Sequence, residues 1–132
     1  MIEALGNEHD GVRSGMRLTE DNGTSLVTAF GEIDLAVRHM AQELCQAVAD
    51  RRLPLVIDAA QVTFADSAGM SVFVRMARDA EANEYSVVLR NAPWMLKELL
   101  TVTGVDRLLP FAEGETHPAR PTPPPDAEDI DT

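Results

Sequence analysis

The stretch Val62-Thr63-Phe64-Ala65-Asp66-Ser67-Ala68-Gly69-Met70 decides the fold, because it joins an extended segment to a helix. Val62 and Phe64 alternate with small or polar neighbours, which is typical of a short strand. Asp66 and Ser67 are residue types that begin helices, and apolar residues follow at the helical spacing 70, 73, 74 and 77. The pattern predicts a strand that ends near residue 65 and a helix that continues to about Ala82.

This arrangement places the hydroxyl of Ser67 at the N-terminus of a helix. Unpaired backbone N–H groups and the positive end of the helix dipole meet there, so the position tolerates negative charge. One interpretation is structural, with Ser67 serving only to start the helix. The other is a switch, because a phosphate on Ser67 would add roughly −1.5 to −2 charges beside Asp66 without disrupting the fold.

The remainder of the chain alternates strands and helices. Asp21-Asn22-Gly23 predicts a tight hairpin turn, because Asn and Gly accept the positive φ that such turns need. Asp34 stands where a helix cap is expected, Pro93 fits the first turn of the last helix, and Gly104 fits its end. The predicted strands are 16–20, 25–30 (ended by Gly31), 55–57 (closed by Asp58) and 86–89, with an edge piece at 108–111. The first predicted helix spans 34–50, and its apolar face consists of Val37, Met40, Ala41, Leu44 and Val48.

Strands separated by helices imply parallel crossovers, here after an antiparallel hairpin. The prediction is therefore a single small α/β domain over residues 16–111, with a mixed sheet of four to five strands. Residues 1–15 show no periodicity and predict a flexible leader. Residues 112–132 carry five of the eight prolines and six acidic residues against one arginine, which predicts a disordered acidic tail.

Composition excludes several classes of function. The net charge of −11 argues against binding to nucleic acid or to an anionic membrane. The single cysteine, Cys45, excludes an internal disulfide, and no stretch has the apolar length of a membrane span. We expect a cytoplasmic protein, monomeric on its own, without a cofactor or a metal.

Enzyme chemistry has little support in the sequence. No glycine-rich phosphate loop is present, and a triad of Ser67, His39 and an aspartate lacks the Gly-x-Ser-x-Gly elbow. Asp34, Asp58 and Asp66 each follow a predicted strand, so all three are expected at one sheet edge, where open α/β sheets bind ligands. One interpretation is that these three aspartates bond to local backbone amides as caps, and the other is that they form an enzyme site that binds Mg²⁺. We expect that the protein is not an enzyme.

The sequence resembles the STAS-domain anti-sigma factor antagonists of bacteria. The resemblance rests on four segments over residues 16–111: Gly31-Glu32-Ile33-Asp34, Leu55-Val56-Ile57-Asp58, Val62 to Gly69 and Leu99 to Leu108. The most specific of these is Asp66-Ser67-Ala68-Gly69, an Asp-Ser-x-Gly element.

The resemblance implies a partner-switching regulator. The unphosphorylated protein would bind an anti-sigma factor serine/threonine kinase with a histidine-kinase-like ATPase fold and so free a sigma factor. The kinase would phosphorylate Ser67 and dissociate, and a phosphatase would reset the cycle. The partner contacts implied are Asp34, Asp66, Ser67, Ala68, Gly69 and Met70. The alternative is a STAS scaffold or transport-accessory subunit that binds its partner without phosphorylation.

Overall fold

A computed structural model describes residues 2–5 and 14–112. Five strands form one sheet in the order β1-β2-β3-β4-β5; the β1–β2 and β2–β3 pairs are antiparallel, and the β3–β4 and β4–β5 pairs are parallel. The strands are β1 (Ile2–Leu5), β2 (Gly15–Asp21), β3 (Thr24–Ile33), β4 (Leu55–Ala65) and β5 (Val87–Arg90), and the helices are α1 (Leu35–Met40), α2 (Gln42–Arg51), α3 (Ser67–Asn83) and α4 (Trp94–Thr103). The predicted mixed α/β sheet is confirmed.

The predicted hairpin joins β2 to β3. Asn22 and Gly23 form its two-residue turn with φ values of 51° and 77°. Two successive positive φ values are characteristic of the type I′ turn, whose twist matches that of the flanking strands. Asn-Gly is the preferred sequence for this turn. The turn therefore sets the register that pairs Asp21 with Thr24.

The strand β1 corrects the predicted leader. Ile2–Leu5 pairs with β2, and Glu3 lies opposite Arg17 with a 2.7 Å ion pair between their side chains. The prediction of a flexible leader is thus wrong for Ile2–Leu5, because four residues are too few to show a strand periodicity. The rest of the predicted leader up to residue 13, and the predicted disordered tail from residue 113, lie outside the described residues.

The strands β3 and β4 are longer than predicted because both contain irregularities. Gly31 does not end β3: it adopts a φ of +73° and the strand continues to Ile33. In β4 one extra residue is accommodated between the partners of Thr28 and Phe30, and another between the partners of Gly31 and Glu32. These β-bulges keep Leu55–Ala65 in one strand, whereas the sequence predicted a strand closed by Asp58 and a separate short piece.

The first predicted helix is divided at Ala41 into α1 and α2. Val37, Ala41, Leu44 and Val48 are buried as predicted, but Met40 is 56% exposed. The prediction is wrong for Met40 because the buried face runs through residues 37, 41, 44 and 48 and leaves this last residue of α1 in solvent. The helix α4 begins after Pro93, which is its N-cap, and ends at Gly104 with a φ of +81°.

One hydrophobic core joins the sheet to the helices. Its largest fully buried apolar side chains come from every layer: Phe73, Met16, Leu18, Ile33, Leu44, Leu55, Ile57, Met76, Leu89, Leu96 and Leu100. The predicted edge piece near the end of the domain is a single bridge, in which Phe111 pairs with Leu89 of β5. Among residues 2–5 and 14–112, no helix has the length and apolar character that crossing a bilayer requires.

Candidate functional site

Two parallel strands deliver two capped helices to the same sheet edge. Ile33 and Ala65 are partners at the ends of β3 and β4, so the following residues, Asp34 and Asp66, lie side by side. Asp34 accepts hydrogen bonds from the amides of Ala36 and Val37 at 3.1 and 3.3 Å. The predicted helix cap at Asp34 is therefore confirmed, as is its placement beside Asp66.

Asp66 is the N-cap of α3. Its Oδ1 accepts a hydrogen bond from the amide of Gly69 at 2.8 Å, and its backbone carbonyl accepts one from the amide of Met70. Its own amide donates to the carbonyl of Ile33 at 3.3 Å, which ties the helix start to β3. Ser67 is consequently the first helical residue, with its side chain left out of the cap.

Exposure differs sharply along this first turn. Ser67 is exposed, Asp66 and Ala68 are half-buried, and Gly69 and Met70 are buried. In this conformation neither Gly69 nor Met70 is presented to a partner, in contrast to the contacts that the resemblance implied for them. The most exposed polar side chain of the turn is that of Ser67.

The position of Gly69 explains how the turn is held. A Cβ atom built on Gly69 would lie 1.7 Å from the carbonyl oxygen of Ile33 and 2.4 Å from its carbonyl carbon. Only a residue without a side chain lets α3 approach β3 this closely. The glycine of the Asp-Ser-x-Gly element therefore fixes the helix start, and with it the position of Ser67.

Asp58 does not belong to this edge, contrary to the prediction. β4 continues for seven residues beyond it, to Ala65, which is about 20 Å of strand. Its Oδ1 accepts from the amide of Ala60 within the bulge, and its Oδ2 accepts from the Arg90 guanidinium at 2.9 Å and from Asn91. Partial burial acts to raise the pKa of Asp58, but these hydrogen bonds outweigh it and hold the pKa below the usual value.

The aspartate edge considered as an alternative enzyme site is not assembled. Because Asp58 lies away from this sheet edge, only Asp34 and Asp66 of the three aspartates are found there, and both serve as helix caps. Within the described part of the chain, no group of three or more His, Cys, Asp or Glu side chains is placed to bind a metal ion. His39 lies on the exposed side of α1, one turn beyond the cap at Asp34.

Exposed apolar side chains flank the turn that carries Ser67, and sequence reasoning missed them. Leu35, next to Asp34, is 50% exposed, and Phe64, two residues before Asp66, is 48% exposed. The alternation of Val62 and Phe64 predicts one shared face, but the bulge near Thr63 turns Phe64 outward while Val62 stays buried. β4 has more residues than β3 between the same paired positions, and the sequence of either strand alone does not show this difference.

Phe64 belongs to an open apolar groove between the end of β4 and α4, which we call the β4–α4 groove. Ser67 does not line this groove. The residues that do are Thr63, Phe64, Ala65, Trp94, Met95, Glu98, Leu99 and Val102.

Comparison with known proteins identifies the fold. The family model described as "Mlab, STAS domain" matches residues 16–110. No curated protein matches the sequence at a significant level. An anti-sigma factor antagonist from Mycobacterium paratuberculosis shares 25% sequence identity and superposes with a TM-score of 0.63, covering 74% of this chain and 84% of that one.

More distant structures share the fold alone. The phosphorylated form of the Bacillus cell fate determinant SpoIIAA is 17% identical with a TM-score of 0.60, covering 89% of this chain and 99% of that one. A structure of SLC26A9 is 16% identical with a TM-score of 0.54; the match covers 80% of this chain but 20% of that protein. The predicted family and fold are confirmed, and the chain belongs to the STAS domain family.

Proposed function

We propose that the protein is an anti-sigma factor antagonist whose binding to an anti-sigma kinase is controlled by phosphorylation of Ser67. The observation that carries the proposal is the exposed hydroxyl of Ser67 at the first position of α3, with the cap already supplied by Asp66. A kinase can reach this hydroxyl, and its modification costs the fold no hydrogen bond.

Electrostatics explain why phosphorylation would release the partner. A phosphate at Ser67 adds roughly −1.5 to −2 charges next to the Asp66 carboxylate, with Asp34 at the end of the neighbouring strand. When no partner is bound, the positive end of the helix dipole and the surrounding water stabilise this charge. A partner that covers the same surface must remove water from a dianion, which is strongly unfavourable.

The exposed apolar residues supply the attractive part of the interface. Leu35 and Phe64 are about half exposed and flank the turn that carries Ser67. Burying them under a partner would contribute hydrophobic free energy, while Asp34, Asp66 and Ser67 make the contact sensitive to charge. The kinase, with bound ATP, would be the partner that supplies the phosphate, and a separate phosphatase would remove it.

The proposal is tested by intact mass spectrometry after incubation with ATP and candidate kinases from the native host. We expect one added phosphate in the wild type and none in Ser67→Ala. Ser86→Ala is the matched control, because Ser86 is also exposed but lies in a loop away from a helix start, and it should still gain the phosphate. Phosphate that persists in Ser67→Ala would contradict the assignment.

A scaffold that binds its partner without phosphorylation is the second candidate. The observation that favours it is the β4–α4 groove, which is apolar and is not lined by Ser67. A partner whose affinity falls in Phe64→Ser, yet is unchanged by phosphoserine at position 67, would favour this scaffold.

A further inference from the structure

A cavity of about 220 Å³ lies between α1 and α2 on one side and α3 on the other. Arg38 comes from α1 and Arg75 from α3, so the two guanidinium groups reach it from different helices. The full lining is Arg38, Ala41, Gln42, Cys45, Ser71, Val72 and Arg75. None of these side chains is acidic.

Two arginines around one cavity are unexpected in a chain with a net charge of −11. Within the described ranges Arg38 forms no ion pair. Arg75 has its Nε 3.5 Å from Asp79 Oδ2, too far for a hydrogen bond, and that carboxylate oxygen is buried without a hydrogen-bond donor. Most of the N–H donors of both arginines are therefore left for another acceptor.

The remaining wall adds no negative charge. Burial raises the pKa of the Cys45 thiol to about 11, so the thiol is neutral at physiological pH. Gln42 contributes a neutral amide, which is able to donate. The nearest carboxylate is Asp79, whose Oδ2 lies 3.5 Å from the Arg75 Nε. In the adjoining groove Glu3 is already paired with Arg17, and Glu43 lies next to Gln42 along α2.

We propose that this cavity is a phosphate site, with Arg38 and Arg75 as its charged ligands and Gln42 as a neutral donor. Guanidinium groups bind phosphate oxygens through paired N–H donors, and two of them can hold one anion from two sides. The volume accommodates the anion together with several waters. A cation is disfavoured, because it would have to approach two positive charges.

Two sources supply the same chemistry: free inorganic phosphate, or a phosphate attached to Ser67. Ser67, Ser71 and Arg75 recur at intervals of four on α3 and share one face of that helix. Ser67 lies about 6 Å along the helix axis from Ser71, and Ser71 lines the cavity together with Arg38. The second source rests on the proposed function, and the first does not.

The test for free phosphate is an NMR titration of the unmodified protein at constant ionic strength, reading the arginine Nε–Hε signals. We expect a saturable shift with wild type and an affinity at least about tenfold weaker in Arg38→Gln. Arg78→Gln is the matched control, because Arg78 is exposed on the same helix but does not line the cavity, and it should bind as the wild type does.

The test for the attached phosphate uses protein with phosphoserine incorporated at position 67 during translation, so that no kinase is required. If this phosphate occupies the cavity, free phosphate no longer shifts the arginine signals, and Arg38→Gln changes the phosphorus-31 signal of the phosphoserine at pH 8. If the modified protein still binds free phosphate, the site serves the free anion.

The proposal is overturned if two results occur together. These are no saturable shift in the unmodified protein, and a phosphoserine signal that the Arg38→Gln substitution leaves unchanged. Because the phosphoserine is installed without a kinase, this outcome leaves the proposed function standing. Failure of every kinase to modify Ser67 would, conversely, leave the free-phosphate result unaffected.

Discussion

Replacing Gly69 by alanine tests the close approach that fixes the start of α3. The added Cβ would lie 1.7 Å from the carbonyl oxygen of Ile33, where an ordinary contact begins at about 3.4 Å. The helix start must therefore retreat by about 1.7 Å, or the end of β3 must move by the same amount. The carbonyl oxygen of Ile33 belongs to the backbone and the alanine Cβ is bonded directly to it, so no side-chain rotation relieves the overlap.

The cost of this displacement has three parts. Overpacking of this kind costs about 1–3 kcal/mol. A movement of this size also breaks the 3.3 Å hydrogen bond from the Asp66 amide to the Ile33 carbonyl, and losing a hydrogen bond costs about 1 kcal/mol. Alanine returns up to about 1 kcal/mol through its higher helix propensity. The net expectation is a loss of about 2 kcal/mol in the free energy of unfolding.

The measurement is urea unfolding followed by circular dichroism, with Gly104→Ala as the control. Gly104 has a φ of +81° and open space around it, so its substitution measures backbone strain without a clash. That strain is about 1 kcal/mol for a residue in the left-handed region. A Gly69→Ala protein as stable as wild type, or more stable, would refute the close approach, because helix propensity alone predicts a gain.

Three further outcomes follow from the side chains around the sheet. Asp66→Ala should lower the free energy of unfolding by about 1 kcal/mol, and Asp66→Asn by less, since an amide oxygen still accepts from Gly69; equal losses in urea unfolding would argue against the cap. The lowered pKa of Asp58 means that its contribution to stability is present above the unfolded pKa of about 4 and is lost as the pH falls through the folded value. The stability difference between wild type and Asp58→Asn should therefore shrink between pH 5 and pH 3, and a constant difference would be inconsistent with the Arg90 pairing. Cys45, buried and with a pKa raised to about 11, should react with a thiol reagent at pH 8 only as fast as the protein opens, whereas immediate reaction of the native protein would count against its burial.

Local chemistry in the sequence was sufficient for the turn and the caps. Asn22 and Gly23 predict the hairpin because their positive φ is a property of the residues themselves. Asp34 and Asp66 predict helix starts for a similar reason, since a short acidic side chain reaches the free amides two or three residues ahead. Such signals depend on a few neighbouring residues and need no knowledge of the tertiary structure.

The features that failed depend on pairing between distant segments. The bulges of β4 exist because β3 and β4 differ in residue count between their paired positions, and they turn Phe64 outward. The continuation of β4 beyond Asp58 separates this residue from Asp34, and pairing with β5 places it opposite Arg90. Pairing with β2 likewise converts Ile2–Leu5 into a strand. None of these partners is visible from a single stretch of sequence.

The candidate site was partly predictable for the same reason. The Asp-Ser-x-Gly element correctly located a helix start with a serine at its first position. Its glycine was assigned to partner contact, although the structure uses it for the approach of α3 to the Ile33 carbonyl. The Arg38–Arg75 cavity was not predicted, because its two charges lie 37 positions apart and meet only through helix packing.

The most direct test of the phosphorylation switch uses the kinase that modifies Ser67 in the mass-spectrometry experiment. Its affinity is measured for the unmodified protein and for protein carrying phosphoserine at position 67. Isothermal titration calorimetry with a non-hydrolysable ATP analogue keeps the two forms from interconverting. We predict that phosphoserine weakens binding by at least about 100-fold, because the partner would have to desolvate a dianion beside Asp34 and Asp66. Equal affinities for the two forms would contradict the switch.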